Sequence, residues 1–186
     1  MADLLTPRYT SGSMGFKTLV ALALFGCGIL RIGSARAEGT ESEGKDRAAI
    51  LEFAATVERE ISERTSHAGP AIGVEFEPIE DWLEIEFGAS TNWSRGATNW
   101  ELELPFKKPF RLSETVEVMP GLGPTRSHTT QAGQRPSAWG AEAVVDLFFW
   151  RSKHFGWYLE PSYGIALGNH NAKSVALTGG IFFTVP

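Results

Sequence analysis

The chain has 186 residues, room for one domain of ordinary size, and its 42% hydrophobic and 21% charged content fits neither a disordered chain nor a helical membrane protein. Its 17 basic and 22 acidic residues give a net charge of −5, which argues against a nucleic-acid surface. Cys27 is the only cysteine, so a disulfide framework is excluded.

The longest apolar run, Leu19 to Leu30, is too short to cross a bilayer as a helix, which needs about 20 residues. It has the plan of a secretory signal. Lys17 precedes it, and Ala35-Arg36-Ala37 follows with small residues at both recognition positions. Cleavage is expected after Ala37, which makes 1–37 a signal peptide, 38–48 a polar leader and 49–186 the folded domain. Cys27 would leave with the signal. A lipoprotein site at Leu24-Phe25-Gly26-Cys27 is the alternative, and Ile29 and Leu30 just behind it argue against that. Loss of Asp3, Arg8, Lys17, Arg31 and Arg36 leaves 13 basic against 21 acidic residues, a net charge of −8.

Ala48 to Arg64 supports two readings. Ile50, Ala54, Val57 and Ile61 fall at helical spacing, and Ala and Glu favour helix. Leu51, Phe53, Ala55 and Val57 also alternate with Glu52, Ala54, Thr56 and Glu58, as a strand would. From Ala71 onward every element has period 2. Ile72, Val74 and Phe76 alternate with Gly73 and Glu75, and a turn is expected at Pro78 to Asp81. Leu83, Ile85, Phe87 and Ala89 alternate with Glu84, Glu86 and Gly88. After a polar break at Ser94 to Thr98, Trp100, Leu102, Leu104 and Phe106 alternate with Glu101 and Glu103. Lys107-Lys108-Pro109 reads as a turn, Val116 and Val118 begin another strand, and His128 to Ser137 reads as a long polar loop. Trp139 to Phe149, Phe155 to Leu167 and Val175 to Val185 complete the series. The Phe155–Leu167 run is long for a globular strand and matches the roughly ten residues of a tilted membrane-crossing strand.

Seven strands with little helix between them make antiparallel neighbours. A bacterial membrane barrel closes with an even number of strands. Topology therefore favours strand over helix in the ambiguous segment. The expected fold is all-β, an eight-stranded antiparallel up-and-down β-barrel.

The same alternation fits two barrels of opposite polarity. A soluble lipocalin-like barrel turns the apolar face inward and would bind an apolar ligand in the periplasm. A membrane barrel turns it to lipid. Gly73, Gly88, Ser90, Gly140, Gly156, Ser162, Gly164, Ala166 and Gly180 on the polar face suit a narrow lumen. Trp100, Trp139, Trp157, Phe106, Phe149 and Phe183 lie towards the ends of the apolar rows, as a girdle would. Leu83, Ile85, Phe87, Leu102, Leu104, Val145, Leu147, Phe149, Trp157, Leu159, Ile165, Leu177, Ile181 and Phe183 are then expected to face lipid.

Signal and strand pattern together, with stretches such as Phe76-Glu77-Pro78-Ile79-Glu80-Asp81-Trp82-Leu83-Glu84 and Phe155-Gly156-Trp157-Tyr158-Leu159-Glu160-Pro161, resemble the small outer-membrane β-barrels of Gram-negative bacteria, the OmpA/OmpX-like class. The last strand, ending Phe182-Phe183-Thr184-Val185-Pro186, resembles theirs in part. The resemblance implies a fold and the cell outer membrane as location. It carries over no catalytic residues and no cofactor.

The unusual feature is the row of carboxylates Glu75, Glu77, Glu84, Glu86, Glu101, Glu103, Glu142, Asp146 and Glu160, with almost no basic partner in the strands. They read either as a hydrated lumen filling or as a cation site, since oxygen ligands suit Ca²⁺ or Mg²⁺. His67, His128, His154 and His170 fall in expected loops, and Ser127, Ser137 and Ser174 lack a nucleophile motif. Arg126, His128 and Arg135 lie in a stretch, Thr125 to Ser137, that could touch lipopolysaccharide phosphates. The expected function is a non-enzymatic surface anchor in contact with outer-membrane lipid, lipopolysaccharide or a protein partner.

Overall fold

The computed structural model describes residues 48–62, 64–94, 97–131, 136–167 and 172–185. The expected signal peptide, and the leader apart from Ala48, lie outside them. Ten strand segments follow one another: β1 Ala49–Glu60, β2 Ser66–Ile79, β3 Leu83–Ser94, β4 Ala97–Glu103, β5 Phe106–Lys107, β6 Phe110–Arg111, β7 Val116–Gln131, β8 Ser137–Ser152, β9 Phe155–Leu167 and β10 Lys173–Val185. All pairings are antiparallel, and β1 pairs with both β2 and β10, so the sheet closes.

The ambiguous segment is strand. Ladders on both sides satisfy its backbone, which outweighs the modest helical preference of Ala and Glu. β4, β5 and β6 are three pieces of one wall, so the barrel has eight. The breaks fall at Pro105 and Pro109, which have no N–H to give a ladder. Neighbouring backbone bonds hold the wall across them: Glu86 N donates to Pro105 O (3.1 Å), Leu104 N to Pro124 O (3.1 Å) and Lys108 N to Pro120 O (2.9 Å).

Two expected loops are therefore strand. Lys107-Lys108-Pro109 is no turn, and the chain reverses at 112–115 instead, where Leu112 and Ser113 donate to Val116 O. β7 runs unbroken through Pro120 and Pro124 to Gln131, so His128 stands on a strand opposite Ser137. His67 likewise stands on β2 opposite Glu58. Among the described residues, the turn near Asp81 holds its expected character. Asp81 there takes φ 53°, a left-handed conformation that Asp tolerates better than most residues.

The register gives the shape. Partners run from Phe76 to Ile85, Phe106, Leu122, Ala143, Tyr163, Val175, Arg59 and back to β2 at Ser66, ten residues from the start. Ten residues rise about 33 Å while eight strand spacings cover about 38 Å, so the strands tilt about 40°. A barrel of this size has an interior just wide enough for side chains.

The apolar rows point out. Phe53, Ile72, Phe87, Leu102, Leu122 and Leu177 are between 46% and 62% exposed. The residues expected to face lipid, from Leu83 to Phe183, all stand in the outward rows and none is buried. Glu52, Glu75, Glu84, Glu86, Asp146 and Glu160 are buried inside. The apolar-inward arrangement of a lipocalin-like calyx is thus not the one adopted. On β8, Trp139 and Phe149 mark the ends of an outward row. Ten steps at that tilt span about 26 Å, close to the roughly 25 Å apolar band of outer-membrane barrels.

Glycines make the room that the inward side chains fill. A Cβ at Gly88 would strike the Glu103 side chain, and one at Gly73 would meet Glu86 and Glu52. At Gly123 the obstacle is the backbone of Leu104 and Pro105, which cannot move aside. Gly123→Ala is expected to destabilise the detergent-folded barrel by about 1–3 kcal/mol, read as a lower unfolding midpoint in urea. Gly164→Ala, which meets only the Ser174 hydroxyl, should leave it nearly unchanged.

Candidate functional site: the charged lumen

The lumen is built in tiers. At the end that holds Ala48 and Val185, inward residues form an apolar floor of Ile50, Met119, Phe148, Tyr158 and Phe182, with Trp150 packed against it. Phe148 stacks on Phe182 at 4.5 Å between ring centroids, and Trp150 meets Phe182 edge-on. The Trp150 indole N–H donates to Glu117 Oε2 (3.2 Å), which satisfies the one polar atom of that ring. Phe148 and Phe182 are fully enclosed, so this end is sealed by side chains.

Above the floor lies Lys107. Parity puts it there: Glu101, Glu103, Pro105, Lys107 and Pro109 all fall on the inward step of the split wall. It pairs with Glu84 on one side and Gly121 on the other, and the missing side chain of Gly121 leaves space for the lysine stem. Lys107 is 1% exposed, and among the described residues it is the one buried Lys or Arg. Its ammonium forms ion pairs with Asp146 and Glu86, lies 3.3 Å from Glu75 and 3.8 Å from Glu160. Those four acids come from β2, β3, β8 and β9.

Glu75 stands directly opposite Glu86 in the β2–β3 register. Like charges in that position repel. Lys107 Nζ contacts both and turns the repulsion into a bridge. Oxygen atoms of Glu75, Glu86 and Asp146 lie within 4.8 Å of one another, close enough to hold a metal ion. The ammonium already occupies the space between them, so this cation site is filled by the chain itself. Buried Glu52 and Glu84 stand around it, and Tyr158 lies beside Glu52.

The remaining expected carboxylates lie elsewhere. Glu103 and Glu142 face each other midway up the lumen. Glu101 is higher, on the wall of a cavity of about 90 Å³ at the opposite end, with Glu58, Thr125 and Ser174. Glu77 is not in the cluster. It sits by the turn after β2 and accepts from Asp81 N. Sequence reasoning missed Lys107, because flanking prolines disguise it as a turn, and it gave no role to Phe148. Counting inward steps through the prolines was the signal available.

Histidine and serine do not converge. His154 meets the Thr184 hydroxyl (3.0 Å), Ser137 accepts from Arg126 Nη2 (2.7 Å), and Ser127 reaches Ala138 O (3.5 Å). His170 and Arg135 lie outside the described residues. Arg126 is on the outer wall, its guanidinium 4.8 Å from the centre of the Trp139 ring.

Removing the central cation should be the most damaging change in the lumen. Lys107→Met leaves its carboxylate partners uncompensated and is expected to cost about 3–5 kcal/mol of stability, the scale of breaking a buried ion pair. The urea midpoint of the folded barrel reads this. Lys107→Arg should recover part of it, and an unchanged midpoint in Lys107→Met would show that the cluster carries no net charge to compensate.

No family model matches the chain, and no curated protein does. Solved structures do match. Neisserial surface protein A superposes with a TM-score of 0.60 at 12% identity, covering 74% of this chain and 97% of that one. The N-terminal β-barrel domain of Pseudomonas aeruginosa OprF gives 0.54 at 14% identity, covering 75% and 98%. Ail, the attachment invasion locus protein of Yersinia pestis, in complex with the heparin analogue sucrose octasulfate, gives 0.51 at 13% identity, covering 74% and 96%. These are eight-stranded outer-membrane β-barrels, and the chain has their closed antiparallel fold.

Proposed function

We propose that the chain is a non-enzymatic outer-membrane barrel that acts as an anchor, closed to general solutes, with its loop end in contact with lipopolysaccharide. The observation that carries this reading is an apolar, aromatic-rimmed outer wall around a lumen filled by side chains. Soluble monomers rarely expose so much continuous apolar surface, and lipid is the environment in which it costs nothing. The aromatic floor and the Lys107 cluster leave no open channel through the described interior.

Lipid phosphate is the contact suggested by the rim near the cavity. Arg126 lies over Trp139 and is held by Ser137, with His128 and Trp100 on the same outer face. Aromatic residues sit at the headgroup level of membrane barrels, and an arginine fixed there can give charge-assisted bonds to phosphate oxygens. The connections at this end are short, with two residues between β3 and β4. Contact would therefore run through the wall's rim more than through long loops.

Four outcomes test the reading. The protein should fractionate with the outer membrane and migrate differently on SDS–PAGE before and after boiling. A soluble periplasmic protein without a heat shift would overturn it. Ile85→Lys or Val145→Lys should destabilise the lipid-folded barrel by up to about 2–4 kcal/mol, whereas Glu103→Gln in the lumen should fold normally. Planar bilayers should show no steady conductance. Arg126→Ala should weaken lipopolysaccharide retention about ten- to a hundred-fold, the loss of one charge-assisted bond of about 1.5–3 kcal/mol, with the heat-modifiable fold retained.

A further inference from the structure

An ammonium group interrupts the apolar outer wall. The outward steps of the split wall run Trp100, Leu102, Leu104, Phe106, Lys108 and Phe110, apolar but for the lysine. On the lipid face of a membrane barrel a lysine is costly at mid-depth and tolerated only near an interface. Lys108 lies near one. It reaches the turn around Asp81, at the end of the barrel that holds the aromatic floor. The connections at this end, 80–82, 112–115 and 153–154, are shorter than 61–65, 132–136 and 168–172 at the other. Short turns mark the periplasmic end of an outer-membrane barrel, so this end meets the inner leaflet.

The ammonium is fixed but not neutralised. Its Nζ donates to Asp81 O at 2.6 Å, and it lies 5.9 Å from the centre of the Trp82 ring and 5.8 Å from that of Phe110. Both rings are exposed on the outside of the barrel. The carboxylate of Asp81 lies towards Arg111 instead, 3.9 Å from Nη2. Among the described residues Lys108 forms no ion pair. A carbonyl and two ring faces attract a cation without cancelling its charge. One of the three N–H donors is used, which leaves the others for an anion.

We propose that Lys108, framed by Trp82 and Phe110, binds the phosphate of one phospholipid in the periplasmic leaflet of the outer membrane. Charge complementarity selects this occupant. Aromatic rings of membrane proteins sit at the headgroup level, and the anion at that level is the lipid phosphodiester. A lysine bonds its oxygens as a fixed point charge. The acyl chains then run along the wall towards mid-membrane, over Phe106 and its neighbour Leu122, both exposed. The site lies at the opposite end of the wall from Arg126 and does not depend on the lipopolysaccharide contact proposed above.

The test uses the full folded barrel in a neutral detergent free of lipopolysaccharide, titrated with phosphatidylglycerol and read by native mass spectrometry. The wild type should retain one lipid in a saturable way. Lys108→Gln should weaken retention about ten-fold or more, the scale of losing one charge-assisted bond. Lys108→Arg should keep most of it, since a guanidinium also bonds phosphate. Lys153→Gln removes an exposed lysine from another turn at the same end and should leave retention unchanged. Trp82→Leu should weaken it several-fold by opening the frame. Heat-modifiable migration checks that each variant folds. A wild type that retains no lipid overturns the proposal. So does full retention in folded Lys108→Gln, which would leave the lysine as a tie between turn and wall. An equal loss in Lys153→Gln also overturns it, because general surface charge would then account for the binding. If Lys108→Gln fails to fold, unchanged retention in Trp82→Leu does the same.

Discussion

One ammonium group in a ring of carboxylates holds this structure to its shape. Lys107 reaches acids from four walls of the barrel, including both members of the Glu75–Glu86 pair that would otherwise repel each other across the β2–β3 ladder. The split wall, the prolines that split it and the glycine at position 121 all serve to bring this one side chain inward at the right height. A narrow lumen cannot hydrate its carboxylates freely, so their charge must be met from within. The aromatic floor beneath closes the lumen on the side of Ala48 and Val185.

The two ends of the lumen thus differ in kind. One is apolar and packed, with Phe148, Phe182 and Trp150 in ring contact. The other is polar, with a cavity and a pair of acids that share no lysine. The outer wall is more even, largely apolar and marked by tryptophans towards the cavity end at positions 93, 100 and 139.

Most of the fold could be read before any coordinates, because period-2 alternation survives every local irregularity. β9 carries it over its whole length, and even β1, helical by propensity, follows it once closure demands a partner for β10. What failed was punctuation. Proline usually ends a strand, so Lys107-Lys108-Pro109 reads as a turn in the sequence, whereas the structure carries strand through it and on through Pro120 and Pro124. In a closed barrel the neighbours on both sides hold such a strand in place, and the missing N–H groups cost only local ladder bonds. The carboxylates were legible as rows but not as separate groups at different heights, since sorting them depends on the ten-residue stagger around the barrel, which no single strand reveals.

The acids that meet Lys107 come from β2 and β3 on one side of it in the chain and from β8 and β9 on the other. The pairing that seals the barrel joins β1 to β10, its first and last strands. Until the final strand is in place, both edges of the sheet stand open and the acid cluster has a path to water. Neutralisation of the interior and completion of the wall therefore depend on each other in the closed barrel. A strand paired one residue out of register would turn its carboxylates out to the lipid and its apolar row into the lumen, leaving the lysine without the partners it meets here.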